Sequence, residues 1–312
     1  MKIVRDWLFK ILLLSSIPAL ASSSAALFGG FESKPEKGQI SFSNPGYEIS
    51  HILKDGAPFI KPEMEGAGSK SEPGQPDLPT MSTYYAVEPG KIFTINASIK
   101  ESEVIENVEV VPFETWNSQP TGVIEKGVTY QQSSSFPANI ATVSDPMVFR
   151  DIVMVQVSVT PFQYNPVSKT LTVIQEIDLE LVESGATEVP YIPQQKSREF
   201  EILYESLVVN YPSTIREGEE VYQRPSILYV LPNNIGNLLG TVEELMNWKK
   251  RVGFDVQYVS TSSIVNNRNN LKNYIEDAYE TWENPPVHVT IVGDVDGSYD
   301  IPTWNESYSG YS

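Results

Sequence analysis

Asp294, Asp296 and Asp300 are three carboxylates within seven residues and form the most pointed chemical feature of the chain. They follow Ile291-Val-Gly293, an apolar run closed by a glycine, which places Asp294 at the carboxyl rim of a strand. Open α/β sheets keep their ligand sites at that rim. Oxygens at this spacing suit a hard cation such as calcium in a structural role. The spacing departs from that of an EF-hand loop, and the favoured reading is that Asp294 caps turn amides and orders the loop. His51 and His288 are the only histidines. His51 has no neighbour to activate it, and His288 lies in an apolar segment and reads as a packed or edge histidine rather than a base. No Ser–His–Asp set or matched carboxylate pair can be assembled, so no catalytic residue is assigned. The sequence contains no cysteine, which excludes disulfides, thiolate metal sites and a cysteine nucleophile within these residues. No glycine-rich phosphate loop follows the apolar run Ile227–Leu231; the turn there is Pro232-Asn-Asn-Ile-Gly236, which disfavours a nucleotide site.

The elements that must position these groups change character along the chain. Residues 22–50 are rich in Ser, Gly and Pro and read as a loose lead-in. From His51 to Pro79 the Gly/Pro density forbids helix and favours an extended, turn-rich path. Period-two alternation predicts strands over 91–99 and 103–113. The strongest β signal runs from Val148 to Val182, with Val153, Val155, Val157 and Val159 on one face and a turn at Asn165-Pro166. These strands predict an antiparallel sandwich or barrel-like domain over 51–184. A linker over 185–224 follows, with one amphipathic stretch showing Phe200, Leu203, Leu207 and Val208 at helical spacing, then the polar run Arg216-Glu-Gly-Glu-Glu220. From residue 225 to 312 strand, helix, strand, helix, strand predicts the first half of a doubly wound α/β sheet. Thr241 and Glu244 suit a capping box if the first of those helices starts there, and Gly253 suits its stop. Half a sheet leaves an edge unfinished, so the sequence is expected to be truncated.

The 40 acidic residues outnumber the 22 basic ones, for a net charge of −18, which repels phosphate backbones and argues against nucleic-acid binding. A hydrophobic fraction of 40% is ordinary for a chain that packs cores and excludes general disorder. At the amino terminus Lys2 and Arg5 precede a short apolar run that ends in Ala19-Leu20-Ala21. That order of features predicts a secretory signal peptide over residues 1–21, cleaved after Ala21, and hence a secreted, extracellular product. The run is shorter than the roughly 18–20 apolar residues of a membrane span, and no later segment supplies one.

Several segments, taken together and in order, resemble the gingipain-type cysteine peptidases. Leu228-Tyr-Val-Leu-Pro232, Leu245-Met-Asn-Trp-Lys-Lys-Arg-Val-Gly253, Ile275-Glu-Asp-Ala-Tyr279, Val289-Thr-Ile-Val-Gly-Asp294 and Ile301-Pro302 are similar to the start of that catalytic domain. Upstream, Gly74-Gln-Pro-Asp-Leu-Pro79, Phe149-Arg150, Val157-Ser-Val-Thr-Pro-Phe-Gln-Tyr-Asn-Pro166, Leu171-Thr-Val173 and Phe200-Glu-Ile-Leu-Tyr204 resemble the family's propeptide. The resemblance implies a β-rich inhibitory prosegment joined to the opening of a caspase/gingipain-like α/β domain, with protein or peptide substrates and with the prosegment's own catalytic domain as its partner. It implies a Cys/His pair, but the glycine–histidine segment and the cysteine of the family do not occur here, so no catalytic residue carries over. Such peptidases favour Arg or Lys before the scissile bond, which makes Arg198, Arg216 and Arg224 in the linker candidate processing points. Arg150 or Lys126 is suited to plug a substrate pocket, although the simpler reading of each is a surface base balancing local acids. The rival reading of the whole is a non-catalytic secreted β module, a binding or inhibitor protein.

Overall fold

A computed structural model describes residues 29–54, 56–114, 125–188, 191, 194–211, 222–264 and 267–304. Its strands are β1 (Phe31–Ser33), β2 (Gln39–Ser43), β3 (Glu48–Lys54), β4 (Ala57–Glu63), β5 (Gly68–Ser69), β6 (Pro79–Val87), β7 (Lys91–Ile105), β8 (Ala141–Val143), β9 (Met147–Phe149), β10 (Ile152–Val159), β11 (Phe162–Asn165) and β12 (Thr170–Ala186). Helix α1 (Arg198–Leu207) follows, then β13 (Ser226–Leu231), α2 (Leu239–Arg251), β14 (Asp255–Ser260), α3 (Arg268–Thr281) and β15 (His288–Ile291). The strands up to β12 make two five-stranded sheets, β1-β2-β12-β11 with β7 also on β12, and β5-β6-β10-β8 with β9 also on β10; β3 and β4 pair separately. Both larger sheets are open, so the barrel alternative fails. By contacts the chain falls into two compact units, one from the residues up to Met81, Ala97–Ile140 and Val159–Glu180, the other from Ser82–Asn96, Ala141–Ser158 and Leu181 onward.

In the first unit the described part of the supposed lead-in, residues 29–50, carries ordered strands. Phe31 faces Phe42 across β1 and β2, Ile40 lies opposite Leu179, and Phe31, Ile40 and Phe42 are fully buried. The Ser and Gly content there masked a period-two run, Gln39-Ile-Ser-Phe-Ser43, whose alternate residues build core. Strand β7 likewise runs unbroken to Ile105 where two strands were expected. Its charged middle is accommodated at the edge, because Glu103 accepts from the Tyr47 hydroxyl at 2.7 Å and from Gln175 Nε2 at 2.8 Å.

In the second unit β9 and β10 are joined by a two-residue turn, Arg150-Asp151, with Phe149 opposite Ile152. Val153, Val155 and Val157 are all buried, as their alternation requires, but Met154 on the opposite face is buried too. The reason is helix α1. Leu203 and Leu207, expected in its apolar stripe, are exposed, and Ile202 is 72% exposed. Its packed side is aromatic instead: Phe200 and Tyr204 lie one turn apart, and Val208 and Tyr211 continue the row against Met154, Tyr84 and Phe149.

The α/β portion follows its pattern closely. Six residues of β13 are buried in succession, as in a parallel strand covered on both faces. Ile227, Tyr229 and Leu231 pack with Val242 and Met246 of α2, while Leu228 and Val230 pack with Leu271 and Ala278 of α3. The sheet order is β14-β13-β15, all parallel. Helix α2 begins at Leu239 after a turn of 3₁₀ helix, ahead of Thr241, so the Thr241/Glu244 capping box does not form. Asn267 caps α3, its Oδ1 accepting from the Asn269 amide at 2.8 Å.

Candidate functional site

The Arg150-Asp151 turn is where charge, burial and backbone strain coincide. Arg150 has φ of 56°, a left-handed conformation that a bulky residue adopts only when its surroundings hold it there. Its side chain is 7% exposed. The guanidinium lies over the Phe200 ring at 4.9 Å and the Tyr279 ring at 5.9 Å, and Nη2 donates to Gln223 Oε1. Its Nε is buried with no hydrogen-bond partner. A guanidinium out of water is held here by the two ring faces and one amide oxygen, and each contact has greater worth once desolvated.

Gln223 is 5% exposed and is used on every side. Its amide N–H donates to Lys196 O at 2.9 Å, and its Nε2 donates to Pro285 O at 3.1 Å. Ser226 Oγ donates to the same Pro285 oxygen at 2.6 Å and accepts from the Val287 amide at 3.0 Å. The oxygen that meets Arg150 is therefore fixed by the start of β13 and the approach to β15.

Next to Arg150, the Asp151 carboxylate accepts from the Tyr204 hydroxyl at 2.5 Å, and the Tyr191 hydroxyl donates to Asp151 O at 2.9 Å. Burial raises the Asp151 pKa above the usual carboxylate range, against the opposing pull of the Tyr204 hydrogen bond and the charges of Arg150 and Lys196. Burial and the Asp151 partner push Tyr204 well above an ordinary phenol, so its hydroxyl stays a donor. Sequence reading missed Gln223, Tyr204 and Tyr191. The available signals were a charged pair interrupting an apolar alternation at residues 150–151 and aromatics four residues apart at 200 and 204.

The linker candidates have different settings. Arg198 is the first residue of α1, with its guanidinium 4.8 Å from the Tyr222 ring, and Tyr222 in turn donates to Glu201 Oε1. Arg224 is exposed, donates Nε to Gly253 O at 3.0 Å and directly precedes Pro225. Arg216 and Ala21 lie outside the described residues. Lys126 pairs with Glu109 and lies over Phe59 and Tyr130, in keeping with a base that balances a local acid. Arg150 is neither a surface base nor a free plug, since its head is enclosed.

Among the described residues, Asp294, Asp296 and Asp300 included, no group of three His, Cys, Asp or Glu side chains is placed to hold an ion. Asp294 orders its loop. Its Oδ1 accepts the Val295 amide at 2.7 Å, its N–H donates to Tyr299 O at 3.0 Å, and its carbonyl accepts Ile301 N–H at 2.8 Å. His288 lies exposed on β15 beside Phe254, and His51 is exposed on β3. Among the described residues no helix is long and apolar enough to cross a membrane.

Comparison with known proteins follows the same division. The family profile Propeptide_C25 matches residues 33–226, and that of Peptidase family C25 matches residues 221–312. Gingipain R2 of Porphyromonas gingivalis is 27% identical over 240 residues, covering 72% of this chain and 31% of the relative. Gingipain R1 of the same organism is 28% identical over 234 residues, covering 72% of this chain and 23% of the relative. The chain thus spans about a third or less of the length of these curated relatives. The complex of Porphyromonas gingivalis RgpB pro- and mature domains aligns with a TM-score of 0.51 and 26% identity over 59% of this chain and 98% of that one.

Proposed function

The chain belongs to the C25 propeptide family and runs on into the start of Peptidase family C25, and from that premise we propose that it is the amino-terminal portion of a secreted cysteine-endopeptidase zymogen. The observation behind this reading is that the two family profiles meet at residues 221–226, directly after the polar run Arg216-Glu-Gly-Glu-Glu220. The β-rich prosegment keeps the peptidase part latent, and cleavage in the junction ends that latency. Peptide-bond hydrolysis here uses a thiolate made by a neighbouring histidine. With no cysteine among the 312 residues, that pair lies outside them and these residues alone hydrolyse no peptide. Residues 1–21 direct export and are removed after Ala21.

Of the three candidate cut points, two are poorly placed. A bond after Arg198 lies within the first turn of α1, and the bond after Arg224 leads into a proline while the side chain is tied to Gly253. A protease binds its substrate extended, which a helical turn resists, and a proline directly after the scissile bond brings no N–H and a bulky ring to the site. Processing therefore falls after Arg216. The test is digestion of the chain by an arginine-specific endopeptidase, read by intact mass. One early cut after Arg216, lost in Arg216→Ala, is expected; first cleavage after Arg198 or Arg224 overturns this assignment. Amino-terminal sequencing of exported protein is expected to start at Ser22.

A further inference from the structure

We propose that Arg150 is the clasp that holds the prosegment on the peptidase part after the linker between them has been cut, a role that rests on the zymogen reading above. Residues 212–221 separate two groups of partners. Arg150, Asp151, Tyr191, Lys196, Phe200 and Tyr204 precede that segment; Tyr222, Gln223 and Tyr279 follow it. A cut there breaks the covalent link and leaves every contact across it intact. Among the described residues these contacts include the Arg150–Gln223 hydrogen bond, the Arg150 guanidinium over Tyr279, the Gln223 N–H to Lys196 O at 2.9 Å, the Tyr222 hydroxyl to Glu201, and Arg198 over Tyr222.

Among them only Arg150 brings a buried charge. Truncating a buried arginine anchor is among the costliest changes to an interface, whereas exposed pairs such as Arg198 contribute little. Extraction of Arg150 would also leave Gln223 Oε1, fixed by the Lys196 and Pro285 contacts, without a donor. The backbone supports the same assignment. Left-handed φ at an arginine costs local stability that a glycine would not incur, and on the prosegment side the long side chain meets the Phe200 ring. The strain is explained when the side chain is needed elsewhere, on Gln223 and Tyr279.

The experiment uses the whole chain with a recognition site for a highly specific protease set between Ser213 and Glu220, so that it does not depend on where natural processing occurs. After the cut, the two pieces of the otherwise unaltered chain are expected to co-elute in size-exclusion chromatography. Arg150→Gly relieves the backbone strain but also removes the contacts to Phe200, Tyr279 and Gln223, so before cutting this variant should unfold at a lower temperature. After cutting, its pieces should dissociate on the order of 30-fold faster. Arg150→Lys and Tyr279→Leu, which keep a charge or an apolar filler, should give intermediate rates and serve where the glycine variant does not fold. Unchanged dissociation in Arg150→Gly, or in both other variants, overturns the clasp. Failure of an arginine-specific protease to cut natural 212–221, with the clasp result intact, would instead count against the processing assignment alone.

Discussion

The Tyr204 hydroxyl, from the middle of α1, meets Oδ1 of Asp151 at 2.5 Å across 53 residues of sequence and anchors the helix to the β9–β10 turn. The same phenol ring packs edge-on to Phe149 at 5.6 Å and against Tyr211 at 5.2 Å. Tyr204→Phe keeps those ring contacts and leaves the half-buried carboxylate without its donor, so a loss of about 1–3 kcal/mol is expected. Tyr204→Ala also opens a cavity in the aromatic row and should cost about 3–5 kcal/mol. Denaturant unfolding of the two variants checks the order; no loss in Tyr204→Phe would show that the hydroxyl contributes nothing, and equal losses that the ring packing adds nothing.

Asp151 makes stability depend on pH in an unusual direction. Because burial raises its folded-state pKa, the folded protein retains a proton that the unfolded chain has already released. Stability through this group therefore increases as pH falls from the raised value toward an ordinary carboxylate pKa, and is lowest above it. Asp151→Asn keeps an oxygen to accept from Tyr204 and removes the buried charge. It is expected to raise the unfolding temperature at pH 7, with the difference shrinking toward pH 4, as thermal melts at the two pH values will show.

Glu109 behaves in the opposite sense. Desolvation raises its pKa, but hydrogen bonds from Lys126 and Lys169 outweigh that and hold it below the usual value. Its contribution is present above the unfolded carboxylate pKa near ~4.3 and is lost as pH falls through the lowered folded value. With the two lysine side chains 39% and 56% exposed, solvent screening keeps the effect small. Glu109→Gln is expected to cost about 1 kcal/mol at neutral pH and nothing once wild-type Glu109 is itself protonated. A loss that persists at pH 3 would point to packing rather than charge.

Local pattern decided how much of this was legible in advance. An unbroken apolar run such as Ile227–Leu231 has one stable environment, a strand covered on both faces, and the flanking helices follow from their periodicity. Composition misled where Ser and Gly are frequent, because the core residues Phe31, Ile40 and Phe42 are sparse in number but alternate in position. Helix α1 was found and its buried face misread, since hydrophobicity scales rank Leu203 above Tyr204. Only the tertiary partners Asp151 and Phe149 decide which side turns inward. The Arg150 cluster was out of reach for the same reason. Gln223 is 73 residues from Arg150, and nothing local marks a glutamine as the acceptor for a buried guanidinium.

Two glycines bracket β14, α3 and β15, and their surroundings differ enough to test what the exit loop requires. Gly253 has φ of 106° with open space around a would-be Cβ, so Gly253→Ala bears only the conformational penalty, about 1 kcal/mol. Gly293 has φ of 152°, and a Cβ there would sit 2.4 Å from Tyr299 O and 2.7 Å from Ile301 Cγ1. Tyr299 O is the acceptor for the Asp294 amide, and Ile301 fills the α3 side of the sheet beside Leu271. Gly293→Ala must therefore displace either the loop that Asp294 orders or a core side chain, at a cost of roughly 3 kcal/mol. Denaturant unfolding should separate the two variants by roughly 2 kcal/mol; equal effects would mean that the loop after β15 relaxes freely and that Asp294 does not hold it.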